Sequence, residues 1–117
     1  MPTIRDVVQT LSNRDGVDAV ILLSRDGLTI DAQASNGIDP DGLAALVPGV
    51  ISAYNRLGSA AERGAFGTGV VEFEHGMLLI TEITSDSLLA MLFRPDTNIG
   101  SLLFELQRHR SAIAGLL

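Results

Sequence analysis

Two stretches of this chain, residues 19–23 and 88–93, carry no polar side chain at all. Successive side chains of a strand point to opposite faces, so a strand of this kind is apolar on both sides of its sheet. Both runs are short and close on turn residues, Arg25-Asp26-Gly27 and Arg94-Pro95-Asp96, which marks them as strands and not as helix interiors. Any fold for this chain must therefore cover both faces of a sheet with helices.

The remaining pattern supplies the helices. Ile4, Val7, Val8 and Leu11 follow the spacing of one helical face, and Thr3 with Asp6 forms a capping-box signature. A strand over residues 17–24 leads to Asp26-Gly27, a hairpin signal. Beyond it Leu28, Ile30, Ala32 and Ala34 alternate with Thr29, Asp31 and Gln33, predicting a half-buried rim strand over 28–34. Asp39-Pro40 then provides an N-cap and a first-turn proline for a long helix expected over 40–63 and stopped by Gly64, with Pro48-Gly49 expected to kink it or remove a hydrogen bond. Val71 and Phe73 alternate with Glu72 and Glu74 in a second rim strand over 67–74. His75-Gly76 turns it back into 77–84, and Ser85-Asp86 turns again into 87–93. A last helix starts near Asn98, with Ile99, Leu102, Leu103, Leu106, Ile113 and Leu117 on one side. The order αββαβββα predicts one α/β (α+β) domain over residues 1–117. With apolar strands central and alternating strands at the rims, its antiparallel sheet runs 2-1-5-4-3. The middle helix takes one face and the terminal helices the other.

Composition removes most chemistries. Fourteen acidic against eight basic residues give a net charge of −6, the wrong sign for nucleic acid or an anionic membrane. All eight basic residues are Arg and there is no Cys, so lysine and thiolate chemistry are absent and disulfides cannot form. Arg5 and Asp6 interrupt any secretory signal, and the expected location is the cytoplasm. Gly64, Gly67 and Gly69 leave a helix and enter a strand, the reverse of a phosphate cradle. Glu72 and Glu74 read as charges guarding an edge strand, not as an acid–base pair. His75 reads as a turn residue and His109 as flanking the core. No cofactor, metal or catalytic residue is expected.

The middle helix is the informative element. Counting 100° per residue, Leu43, Leu46, Val47, Val50, Tyr54, Leu57 and Ala61 gather as the expected sheet-facing stripe. The opposite side carries Ala44, Ala45, Pro48, Gly49, Ser52, Ala53, Ser59 and Ala60, with Asn55, Arg56, Glu62 and Arg63 as its only long polar groups. Small, charge-poor surfaces suit interfaces. The 67–74 rim strand has no Pro or Lys to block pairing. Pairing it with its copy across a two-fold axis would set two middle helices side by side. The dimer interface is thus expected to take in Val47, Ile51 and Gly58 of the helix and Gly69, Val70, Val71, Glu72 and Phe73 of the strand.

The segments Arg25-Asp26-Gly27 and Arg94-Pro95-Asp96-Thr97-Asn98-Ile99-Gly100, within the order αββαβββα, resemble the Roadblock family of dynein-light-chain-like proteins. The resemblance covers essentially the whole chain and lacks the long tails of some relatives. It implies an obligate dimer with a sheet continuous across both subunits, whose paired helices receive a small Ras-like GTPase. On that reading Ser52, Asn55, Arg56, Ser59 and Arg63 contact the GTPase, as a scaffold or as an activator without an active site of its own. Two alternatives are a profilin-like or PAS-like small-ligand sensor and a subunit of a Roadblock heterodimer.

Overall fold

In the computed structural model, which describes residues 2–117, the chain runs α1 (Ile4–Ser12), β1 (Val17–Ser24), β2 (Thr29–Ala34), α2 (Pro40–Ala60), β3 (Thr68–Phe73), β4 (Gly76–Thr84), β5 (Ser87–Phe93) and α3 (Gly100–Ala114). The five strands form one antiparallel sheet in the order β2-β1-β5-β4-β3. Element order, sheet order and the central place of the two apolar runs are as the sequence predicts.

Each face of the sheet has its own core. Val8 and Leu11 of α1 and Leu102, Leu106 and Ile113 of α3 close over Val20, Leu22, Leu79, Leu89 and Met91. On the other face Ala44, Val47 and Ile51 of α2 cover Ile21, Leu23, Ile80, Leu88 and Ala90. Leu22 and Leu23, adjacent in sequence, thus enter different cores, as a strand buried on both sides requires. At the start of α1, the Asp6 N–H donates to Thr3 Oγ1 at 3.2 Å and the Thr3 N–H donates to Asp6 Oδ2 at 2.9 Å. The capping box is therefore complete.

Several local expectations are corrected. Asp39 precedes α2 in extended conformation but makes no side-chain cap bond. The helix ends at Ala60, earlier than Gly64, because Glu62 adopts the left-handed conformation at φ 57°. The Arg63 N–H donates to the Gly58 carbonyl and the Glu62 N–H to the Ser59 carbonyl, which closes the helix in a Schellman arrangement. In β2 the pairing steps from Leu22–Asp31 to Leu23–Thr29, so Ile30 is an extra residue squeezed out of register. Leu28 and Ile30 are exposed while Asp31, Ala32, Gln33 and Ala34 are all half-buried, so the expected alternation does not appear in burial, although Ala32 packs against the α2 core. Pro48 sits inside α2 without ending it. Having no N–H, it leaves the Ala44 carbonyl without its helical donor, and both groups abut Gly27, where a side chain would be crowded.

Candidate functional site

The β1–β2 hairpin and the lead into α3, the two most specific sequence motifs, hold the scaffold together. Arg25 donates from Nε to the Ser85 carbonyl and from its guanidinium to Glu82 at 2.7 Å, tying the hairpin to the β4–β5 turn. The Arg94 N–H donates to the Gly16 carbonyl at 2.8 Å, and Thr97 Oγ1 donates to the Arg94 carbonyl at 2.7 Å. Neither motif gathers reactive groups. Among the described residues no group of three or more His, Cys, Asp or Glu side chains is arranged to hold a metal ion.

The surface of α2 divides differently from the sequence expectation. Its buried residues are Ala44, Val47 and Ile51, with Pro48, Tyr54, Asn55 and Gly58 half-buried beside them. The helix is thus rotated relative to the expected stripe. Ala44, assigned outward, is fully buried, whereas Leu46 and Leu57, assigned to the sheet, are 69% and 64% exposed. Leu46, Val50, Ala53, Leu57 and Ala60 all face outward at alternating spacings of four and three. That is the spacing of the a and d positions of a coiled-coil seam. A second outward stripe carries Ala45, Gly49, Ser52, Arg56 and Ser59.

Leu46, at the start of the apolar stripe, borders an open part of the sheet. α2 packs most closely on β1 and β2, and its core residues also bury Ile80, Leu88 and Ala90, so what stays open on this face is β3 and the half-buried Leu78 and Leu92 of β4 and β5. Leu43 and Leu46 share a groove with Ile38 and Leu92. Phe73, 55% exposed, lies with Leu92, Met77 and Ile38 in the adjoining one. Part of the gap is filled by Phe66, whose ring stacks on Tyr54 with centroids 5.3 Å apart and rests against Gly69. β3 forms the sheet edge, hydrogen-bonded to β4 alone.

The residues assigned to a partner surface have different fates. Val47 and Ile51 are consumed by the protomer's own core and have no area left to offer. Gly58 is held by its own chain, since a Cβ there would collide with the Gly64 carbonyl. Gly69, Val70, Val71, Glu72 and Phe73 do lie on the free edge, with Gly69 and Val71 half-buried. Of the five expected GTPase contacts, Ser52, Arg56 and Ser59 share one exposed stripe. Arg63 is exposed beyond the helix end, folded back towards the Ala61 and Glu62 carbonyls. Asn55 is half-buried, and its side-chain oxygen accepts the Phe66 N–H at 2.8 Å, so its first duty is to anchor the α2–β3 loop. Leu46, Val50 and Leu57 are the surface residues that sequence reasoning missed. Their signal was the seam rhythm, which an expected core stripe absorbed.

Comparison with known proteins agrees with this architecture. Residues 3–93 match the Roadblock/LC7 domain family. MglB of Myxococcus xanthus is similar in structure, with a TM-score of 0.86 at 21% identity, covering 97% of this chain and 93% of that one. A Roadblock/LC7 domain from Streptomyces avermitilis gives 0.82 at 23% identity, covering 93% and 92%. An uncharacterised protein of Methanocaldococcus jannaschii is 24% identical over 110 residues, 94% of this chain and 92% of the relative. At such identities the likeness to the solved structures is one of fold.

Proposed function

The chain belongs to the Roadblock/LC7 domain family, and from that premise we propose that it works as a non-catalytic dimeric regulator or scaffold of a small Ras-like GTPase. The observation that carries this reading is the open part of the sheet. An unpaired edge strand carries the exposed Phe73 on the face that α2 covers, and α2 itself exposes Leu46, Val50 and Leu57; a second copy related by a two-fold axis would cover both surfaces at once. Fully burying an exposed leucine contributes about 1.5–3 kcal/mol, and Leu46 and Leu57, 69% and 64% exposed, retain most of that area for a partner.

Such a dimer leaves Ser52, Arg56 and Ser59 on the outer stripe of each α2, with Arg63 just past its end. The two arginines give this acidic chain a local positive surface, suited to an acidic face of the GTPase. Charges so placed raise the association rate more than the affinity. The test is a titration of the purified chain with a small Ras-like GTPase of the same host. Wild type binds, and the Arg56→Glu, Arg63→Glu double variant loses binding while sedimenting as a dimer. Unchanged affinity in that variant removes this surface from the reading. GTP turnover with and without the chain then separates an activator from a scaffold.

A further inference from the structure

On the α1/α3 side of the sheet, Arg110 of α3 lies over the start of the edge strand. Its guanidinium donates to Thr81 Oγ1 at 3.0 Å and to Thr68 Oγ1 at 3.3 Å, and the two hydroxyls are 2.7 Å apart. Thr81 is buried and Arg110 half-buried, yet the cation meets no carboxylate among the described residues. A partly desolvated charge held only by neutral hydroxyls is incompletely compensated. Glu72, four residues along the same edge, is exposed and equally without an ion-pair partner among the described residues.

The register of β3 with β4 fixes what the edge offers. The Glu82 N–H donates to the Gly67 carbonyl at 2.9 Å, and the Phe73–Gly76 pair flanks the two-residue turn Glu74-His75. Hydrogen-bonding direction alternates along a strand. Gly67, Gly69, Val71 and Phe73 therefore direct their backbone groups inward, and Thr68, Val70 and Glu72 direct theirs to the free edge. The side chains of these last three all lie on the α1/α3 face, since they pair with Thr81, Leu79 and Met77.

We propose that two copies of this chain pair their β3 strands about a two-fold axis through Val70, setting Thr68 opposite the partner's Glu72 so that Arg110 of each copy forms an ion pair with Glu72 of the other. The proposal rests on the dimer argued above and adds its register and the polar contact that selects it. Only this axis engages all three outward residues of both strands. An axis through Val71 pairs Val70 with Glu72 and pushes Thr68 against a turn residue. An axis through Glu72 sets two carboxylates face to face, which is repulsive. With the axis at Val70, opposed Cβ atoms are about 5 Å apart, and the Glu72 carboxylate of one copy reaches the guanidinium that waits over Thr68 of the other. Symmetry makes the contact twice, and both open charges are matched.

The chain has no cysteine, so a single introduced thiol reports the register directly. Oxidised V70C is expected to form a covalent dimer readily, because its two copies face each other within disulfide reach, whereas V71C does not. Preferential cross-linking of V71C, with wild type sedimenting as a dimer, overturns the register and leaves the dimer standing. A wild type that sediments as a monomer overturns both. Charge exchange supplies a second measurement. E72R alone and R110E alone each weaken self-association on the order of tenfold or more, by turning both attractions into repulsions. An equimolar mixture of the two variants restores wild-type affinity as a heterodimer, which simple misfolding of either cannot produce. Failure of the mixture to associate better than its components overturns the ion pair.

Discussion

Glu62 occupies the position after α2 at which the chain turns left-handed, with φ 57°. A residue with a Cβ in that conformation costs roughly 1–2 kcal/mol, part of which the Schellman hydrogen bonds from Glu62 and Arg63 offset. Glu62→Gly is expected to stabilise the fold by about 0.5–1 kcal/mol, seen as a rise of a few degrees in Tm. Gly58 shows the opposite constraint. Alanine there gains about 1 kcal/mol of helix propensity but drives a methyl group into the Gly64 carbonyl. Overpacking of that kind typically costs about 1–3 kcal/mol, so Gly58→Ala is expected to lower the midpoint of urea unfolding. A midpoint at or above that of wild type would show that the 61–67 loop yields freely.

At the scale of the element, α2 serves two surfaces at once. Val47 and Ile51 secure the protomer, while Leu46 and Leu57 remain on its outside. Leu46→Asp or Leu57→Asp is therefore expected to leave the far-UV circular dichroism of the protomer intact and, where wild type sediments as the proposed dimer, to convert it to a monomer. Loss of the folded signal in both variants would place these leucines in the core instead. The same division explains what the sequence could tell. The central strands, the hairpin at Asp26-Gly27 and the capping box at Thr3 are written in neighbouring residues, and local chemistry decides them. The facing of α2 is not, because an outward leucine and one destined for the core have the same hydropathy. Ala44 and Pro48 misled in the other direction, since small residues suit a close helix–sheet contact as well as an interface. The displaced Ile30 was illegible for a further reason: the extra residue appears only when β2 is laid against Leu22 and Leu23. Among the residues expected to face a partner, the free 69–73 edge was readable from its alternation, and the Asn55 anchor to Phe66 was not.

For the whole molecule, association and folding stability are linked. If the open part of the sheet is covered only in the dimer, the Tm should rise with protein concentration, because a dimer binds its own folded state. A Tm independent of concentration over the dissociation range would sever that link. The two margins of the sheet also differ in kind. β3 is regular and offers backbone groups in step, whereas β2 is bulged at Ile30 and so poorly suited to accept another strand. Were both margins regular, each added copy would expose a fresh docking line and growth would continue into fibres. With one margin spoiled, addition in the proposed assembly would halt at two, so the irregularity of a single residue would keep an open-edged sheet from growing without limit.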